Sequence, residues 1–344
     1  MAEKKKCLAT VKSQSELAPG IYSLWLAFPE EYNVAAMAKP GQFLSLYSDD
    51  GSRLLPRPIS ICEIDAAKRM IRLVYRVAGA GTLEFSGKQE GDTIAVVGPL
   101  GNGFTPRSGK SILIGGGIGI PPMLALAKSL SGEVQVVLGY RDAVQFLKED
   151  FTPYASVYVS TEDGSVGTKG NVIDAIRAEG ITADVIYACG PMPMLRGVKA
   201  FAAEQGIEAQ ISLEEHMACG IGACLGCVCT TKEKDAHSHV NNTRICKDGP
   251  VFDAQTVEIE EEKDESGSKF CGSINEKSRY DGIRYLWFWC RVRRICGSEP
   301  LGSCDNERCG KCTLARQSNT ESVRDLWWYV ECDRFAKSGD RRIY

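Results

Sequence analysis

The sequence predicts three consecutive folded modules: an antiparallel β-barrel, a parallel-sheet α/β domain and a small cysteine-rich module. Short apolar runs broken by Gly and Pro indicate the barrel, apolar strands alternating with amphipathic helices indicate the α/β domain, and closely spaced cysteines indicate the third module. A chain of 344 residues can bury a separate core in each. We place the barrel at residues 1–106, the α/β domain at 107–210, the cysteine module at 211–258 and a tail of different composition at 259–344.

Composition and charge exclude several classes of protein. The formal net charge of −3 provides no basic surface for nucleic acid. No stretch approaches the roughly 20 apolar residues of a membrane span, and the first residues lead into no apolar signal segment, so we expect a cytoplasmic protein without membrane contact. The 15 cysteines then favour metal or redox use over a secreted disulfide scaffold.

Five apolar-alternating runs predict the barrel strands: YSLWLAF, GQFLSLY, RPISICE, MIRLVYRV and DTIAVVGPLG. Two of these runs, RPISICE and MIRLVYRV, and the segment that follows them also carry groups that suit a nucleotide. These residues are Arg57, Pro58, Ile59 and Ser60, then Val74, Tyr75 and Arg76, then Gly81 and Thr82. Arginine and small hydroxyls can bind a diphosphate, and an aromatic ring can stack on a flat heterocycle. Taken alone, the same residues also fit a surface arginine and a half-buried barrel tyrosine.

Buried strands and amphipathic helices alternate from Ser111, which predicts a parallel sheet covered on both faces. The first strand ends in a glycine-rich turn before a helix that opens at two prolines; the glycines are Gly115, Gly116, Gly117 and Gly119. Bare backbone there can approach a pyrophosphate, although a simple tight turn has the same pattern.

A second sharp turn follows a later strand of the same sheet, at Cys189, Gly190 and Pro191. Ligands bind at the carboxyl edge of such sheets, so we expect this turn to lie beside the glycine-rich one; a buried strand end is the alternative for Cys189. Glu162 and Asp163 also follow a strand and would favour NAD over NADP by repelling a 2′-phosphate, although acidic turn residues are common on surfaces.

The cysteine module carries a C-x4-C-x2-C run with a distant fourth cysteine: Cys219, Cys224, Cys227 and Cys246. This is the ligand spacing of a plant-type [2Fe-2S] cluster, and the loop is rich in glycine, which lets three thiolates wrap two irons. Structural zinc is the alternative, but it usually takes paired C-x2-C knuckles and only one is present. Cys229 is expected to be a small core residue, with a ligand exchange with Cys227 left open.

The order of these motifs resembles the ferredoxin reductase superfamily and, with the cysteine module, the electron-transfer subunits of class 1B dihydroorotate dehydrogenases. The resemblance covers about residues 6–258. Beyond the motifs above, it rests on three segments: Pro40-Gly41-Gln42-Phe43, Gly98-Pro99-Leu100-Gly101 and Glu214-Glu215-His216-Met217.

The resemblance implies FAD at the barrel residues 57–60, 74–76 and 81–82, NAD(H) at the two sheet-edge turns and a [2Fe-2S] cluster on the four cysteines. It also implies a partner, the FMN-containing catalytic subunit of pyrimidine biosynthesis, in a heterotetramer of two plus two chains. It assigns no dihydroorotate chemistry to this chain. Alternatives are a reductase subunit serving ferredoxin, a hydrogenase or glutamate synthase, and a non-catalytic zinc-bearing interaction module.

The tail contains four of the five tryptophans and repeats the cysteine spacing at Cys304, Cys309, Cys312 and Cys332. A second cluster is one interpretation, but the first gap contains no glycine. An out-of-frame read-through is the hypothesis we favour. Trp327-Trp328 must be encoded by TGGTGG, and this DNA encodes Gly-Gly when the reading frame is shifted forward by one nucleotide. With permitted codons the shifted frame resembles the catalytic dihydroorotate dehydrogenase subunit, so we predict that the tail is disordered.

Overall fold

Six antiparallel strands close the N-terminal barrel, in the order β1-β2-β5-β4-β3-β6. They are β1 (Lys6–Ala18), β2 (Ile21–Ala27), β3 (Phe43–Tyr47), β4 (Arg57–Asp65), β5 (Met70–Arg76) and β6 (Thr93–Leu100). The predicted barrel is confirmed, but β1 was not predicted because its outward residues interrupt the apolar pattern. Only three of its residues are fully buried, at Ala9, Val11 and Ala18. Two short helices connect the strands, α1 (Val34–Met37) and α2 (Ala80–Ser86).

The second region is a parallel sheet with helices on both faces, as predicted. Its strands are β7 (Ser111–Gly116), β8 (Val134–Tyr140), β9 (Ser156–Thr161), β10 (Thr168–Lys169), β11 (Val185–Cys189) and β12 (Glu208–Ser212). Its helices are α3 (Ile120–Ser129), α4 (Lys148–Phe151), α5 (Val172–Ala178) and α6 (Met192–Gln205), and a 3-10 turn covers Gly117–Gly119. The boundary predicted at residue 210 falls inside β12, so the cysteine module continues directly from a sheet strand.

The cysteine module adds β13 (Val228–Thr230), β14 (Asn242–Arg244), α7 (Ile245–Asp248) and β15 (Val251–Asp253). Strands β13 and β14 pair only with each other, whereas β15 joins the large sheet antiparallel to β12. The complete sheet order is β10-β9-β8-β7-β11-β12-β15. The module is therefore attached to the sheet by backbone hydrogen bonds.

This computed structural model describes residues 6–234 and 240–259, all within one compact unit. The expectations for residues 260–344, including disorder, out-of-frame origin and the second cysteine set, lie outside the described residues. Within the described part of the chain, no helix is long and apolar enough to cross a membrane.

A charged cluster holds the barrel against the α/β region. Arg72 Nη1 on β5 donates hydrogen bonds to Glu63 at 2.7 Å and to Asp150 of α4 at 2.6 Å, and Lys128 of α3 also donates to Glu63. The Arg72 side chain is only 12% exposed. Because Arg72 and Glu63 are poorly hydrated, the loss of Arg72 leaves Asp150 without its cation and Glu63 with Lys128 alone.

Replacing Arg72 by Ala should lower the free energy of unfolding by about 3 kcal/mol, because Glu63 and Asp150 lose their shared cation. Arg177→Ala is the matched control: Arg177 pairs with Glu204 at 3.1 Å with side chains 60% and 57% exposed, and its loss should cost less than about 1 kcal/mol. Urea unfolding of the cofactor-free protein, followed by tryptophan fluorescence, measures both. Equal losses in the free energy of unfolding would contradict the role of Arg72 in holding the barrel against the α/β region.

Candidate functional site

The two turns predicted at the sheet edge contact each other. Strands β7 and β11 are neighbours, with Gly115 opposite Cys189. A Cβ added at Gly119 would lie 2.4 Å from the Cys189 carbonyl oxygen, so this position tolerates only glycine. Gly117 has φ +52°, and the nearest atom to its missing side chain is Arg76 Nη2, 4.0 Å away. The turn thus presents open backbone at Gly117 and is packed tightly behind it.

Glu214 extends this edge, and the sequence assigned it no role beyond the family resemblance. Burial in the surrounding protein raises the pKa of its carboxyl, and the Arg76 guanidinium opposes that rise. The pKa of the neighbouring Cys189 thiol is raised by burial and then by the Glu214 charge. The Glu214 side chain nevertheless keeps an exposed surface. Arg76, at the end of β5, therefore lies beside Gly117 and Glu214 at the edge of the sheet.

The acidic pair predicted after β9, Glu162 and Asp163, provides less evidence about the choice between NAD and NADP. Asp163 accepts a hydrogen bond from the Ser165 N–H at 2.9 Å, and bonds to Ser165 lower the pKa of its carboxyl. One of the two carboxylates thus stabilises its own turn.

On the barrel, the structure brings Arg57 and Gly81 together. A Cβ added at Gly81 would lie 2.6 Å from Arg57 Nε, so the glycine leaves the space that the guanidinium occupies. The loop before β4 is held to α2 by Glu84, which accepts from Arg53 at 2.6 Å and from the Asp49 N–H at 2.7 Å. These contacts hold the segment that leads into β4, of which Arg57 is the first residue.

Two barrel residues differ from the sequence-based expectation. The ring of Tyr75 is 3% exposed and its hydroxyl donates to Gln14 Oε1 at 3.1 Å, because the strand register turns it into the barrel interior. It is not available to stack on a heterocycle, and only its backbone can face a ligand. The Thr82 hydroxyl accepts from the N–H groups of Ala78 and Gly79 at 2.9 and 3.1 Å. It shapes the turn that precedes Gly81.

The remaining predicted barrel residues alternate along their strands. Ile59 is buried inside the barrel, while Pro58 and Ser60 point to the outer face and are half-buried. Val74 also points outward and packs against the α3 side of the sheet. The outward positions of β4 therefore remain as the surface for a ligand.

Backbone N–H groups surround the cysteine sulfurs. Cys219 Sγ accepts from the N–H groups of Ala223 and Cys224 at 3.2 and 3.4 Å. Cys224 Sγ accepts from the Gly226 N–H at 3.4 Å. Such donors stabilise thiolates, the form that binds metal. All eight cysteines in the described ranges are free thiols.

The four thiols influence one another: Cys219 interacts with Cys224, Cys246 interacts with Cys227, and the charge of Cys219 also acts on Cys246. Burial acts to raise the pKa of the Cys219 thiol, but hydrogen bonds from the loop backbone and from Cys224 lower it to about 7. Burial, followed by the hydrogen bond and charge of Cys227, raises the pKa of Cys246 to about 12. Within residues 6–234 and 240–259, no three His, Cys, Asp or Glu side chains already surround a point that could hold a metal ion.

The loop geometry depends on residues that sequence reasoning missed. Gly220 and Gly222 take positive φ, as the glycine-rich loop predicted, but Leu225 does so too, at φ +56°. Arg244 donates to the Gly222 carbonyl at 3.2 Å and forms an ion pair with Asp248 at 3.0 Å, which braces the loop against α7. The sequence feature that could have indicated a role for Arg244 at this loop is its position two residues before Cys246.

A cleft of about 550 Å³ lies elsewhere, beside β12 and β15. None of the predicted nucleotide or cysteine residues lines it. Its Gln210 side chain is already bonded to the Thr105 backbone, donating at 2.8 Å and accepting at 2.9 Å.

Known proteins share both the fold and the cysteine module. Residues 214–258 match the model of the iron-sulfur cluster binding domain of dihydroorotate dehydrogenase B. The dihydroorotate dehydrogenase B (NAD(+)) electron transfer subunit of Listeria monocytogenes is 44% identical over 257 residues, which are 72% of this chain and 97% of the relative. The subunit of Bacillus velezensis is 43% identical over 264 residues, 74% of this chain and 100% of the relative.

A solved structure agrees with this relationship. The structure of an NADH-dependent reduced ferredoxin-NADP oxidoreductase, described in terms of flavin-based electron bifurcation, superimposes with a TM-score of 0.66 at 28% identity, covering 82% of this chain and 99% of that one. The resemblance drawn from the motifs is confirmed. This chain belongs to the family of dihydroorotate dehydrogenase B (NAD(+)) electron transfer subunits.

Proposed function

We propose that this chain is the electron-transfer component of an NAD-dependent dihydroorotate dehydrogenase in pyrimidine biosynthesis. It connects NAD(H), FAD and a [2Fe-2S] cluster with an FMN-containing catalytic subunit, and it acts in the cytoplasm in a heterotetramer of two plus two chains. The observation that carries this proposal is the order of the three sites: the glycine-rich turn at the sheet edge meets Arg76 at the end of β5, and the cysteine loop packs on the outer face of the same barrel.

The residues at the sheet edge fit a dinucleotide. Gly115 lets the turn pack against Ile120 of α3, Gly116 and Gly119 let it pack against α6 and β11, and Gly117 leaves open backbone for a pyrophosphate. The Cys189, Gly190 and Pro191 turn forms the adjoining wall, and Glu214 and Arg76 provide opposite charges beside it. These side chains would orient a nicotinamide ring towards the barrel.

The outer face of β4 fits a flavin. Arg57, directed by Gly81, supplies a guanidinium for the FAD diphosphate, and Pro58 and Ser60 offer an outward surface with one hydroxyl. The backbone of Val74, Tyr75 and Arg76 and the turn at Thr82 complete the proposed contact set. When bound, FAD exchanges two electrons with NAD(H) and single electrons with an iron-sulfur cluster.

The four cysteines fit a two-iron cluster. Such a cluster takes four thiolate ligands. Cys219, Cys224, Cys227 and Cys246 would hold it. The hydrogen bonds to Cys219 favour its thiolate form before metal arrives. Cys227 and Cys246 are 2% and 1% exposed, so their side of the site excludes water.

The decisive experiment is reconstitution with the FMN-containing catalytic subunit of dihydroorotate dehydrogenase B. Dihydroorotate should then reduce NAD⁺ only when this chain is present, measured as NADH absorbance. NAD⁺ reduction that is unchanged when the chain is omitted would contradict the proposal. Efficient electron delivery to ferredoxin without the catalytic subunit would instead favour a ferredoxin reductase.

Gly81→Ala should weaken FAD binding by about tenfold or more, because the new methyl group displaces the Arg57 guanidinium from a charge-assisted contact. The fold should persist, since the displaced group is the end of a flexible side chain. Gly79→Ala is the matched control, with no atom within 4 Å of the new Cβ and φ −176°. Fluorescence titration of FAD into the apoprotein measures both affinities, and equal affinities would remove Arg57 from the site.

Cys224→Ser should abolish cluster assembly while NADH still reduces the bound FAD, because the two nucleotide sites use other residues. Iron analysis and the EPR signal of the reduced protein test the first part, and stopped-flow flavin bleaching tests the second. Cys229→Ser is the control and should retain two irons per chain. Loss of iron from Cys229→Ser would identify Cys229 as a cluster ligand in place of Cys227.

A further inference from the structure

Two buried hydroxyls lack a hydrogen-bond partner among the described residues, Ser45 Oγ and Ser160 Oγ. Ser45 is 2% exposed and lies in the middle of β3. A buried hydroxyl without a partner costs about 1–3 kcal/mol, so a persistent one calls for an explanation.

The strand register places Ser45 between the two proposed redox sites. On β3, Leu44 and Leu46 fill the barrel interior, so Ser45 points to the outer face together with Phe43. Its direct partner on β4 is Pro58, in the proposed flavin strand. Directly opposite side chains in an antiparallel pair lie about 5 Å apart.

The other neighbour of Ser45 is the cysteine loop. A Cβ added at Gly220 would lie 2.9 Å from Ser45 Oγ and 3.6 Å from Leu100 Cδ1. Gly220 immediately follows Cys219, and its φ of +67° turns the loop back at this point. Phe43 packs in the same core as Cys227 and Cys246. The unpartnered hydroxyl is thus enclosed beneath the loop that carries the thiols.

We propose that Ser45 donates a hydrogen bond to a sulfur of the loaded cluster and raises its reduction potential. The inference rests on the proposed function, since it requires a cluster on the four cysteines. A hydroxyl is a donor, and the thiolates and sulfides of an iron-sulfur cluster are negatively charged acceptors. Hydrogen bonds to cluster sulfurs are among the factors that set its potential, because they stabilise the more negative reduced state.

The test is a redox titration of the purified holoprotein, with the reduced cluster followed by EPR and the flavin by absorbance. Ser45→Ala should lower the cluster's midpoint potential, shifting the one-electron equilibrium towards the oxidised cluster by about fivefold to tenfold, the factor expected for one hydrogen bond. Ser45→Thr keeps the hydroxyl and should restore the unsubstituted value. Ser160→Ala is the matched control, an equally buried and unpartnered hydroxyl on β9, and should leave the cluster potential unchanged.

A second measurement does not depend on the potential. The Fe–S stretching bands in resonance Raman spectra should shift in D₂O for the unsubstituted protein, and part of that shift should disappear in Ser45→Ala. An unchanged cluster potential in iron-loaded Ser45→Ala would overturn the inference, as would a change confined to the flavin potential or an equal change in Ser160→Ala. Absence of any iron-sulfur cluster from the unsubstituted protein would overturn the proposed function itself.

Discussion

The attachment of the cysteine module to both larger regions is the contact on which the rest of the arrangement depends. Strands β13, β14 and β15 have three residues each and α7 has four, too few to bury a core of their own. The module is instead stabilised by contacts with the large sheet and with the barrel. Strand β15 completes hydrogen bonds at the free edge of β12, and Cys227 and Cys246 pack against Phe43 and Leu100 on the outside of the barrel. The position of the thiols is therefore set by the barrel and the sheet.

The two-residue repeat of a β-strand lets one short strand serve both stability and function. On β3 and β4, inward residues such as Leu44 and Ile59 close the barrel, while outward Ser45, Pro58 and Ser60 remain for a ligand and the cysteine loop. A shift of one residue would exchange the two sets, so burial of the apolar residues fixes the outward ones as well. The barrel core thereby holds the proposed flavin surface and the cysteine loop in a constant relation.

The sequence predicted elements wherever one pattern dominated. Five barrel strands, the parallel sheet and the cysteine spacing were recognisable because apolar periodicity, glycines at turns and ligand spacing are local properties. Strand β1 was missed because its long polar outer face masks the few buried positions. Strand β15 was missed because three residues carry no period, and its place in the sheet follows from the free edge of β12.

For the candidate site, the sequence by itself determined which chemical groups are present: a glycine-rich turn, an arginine before a strand and four cysteines in cluster spacing. The tertiary structure decided which of them face a ligand. It turned Tyr75 into the core, used the Thr82 hydroxyl in a turn, and brought Glu214 and Arg76, 138 positions apart in the chain, to one edge of the sheet. It also enclosed the Ser45 hydroxyl beneath Gly220. These outcomes depend on strand register and on packing between distant segments, and neither is encoded in the spacing of nearby residues.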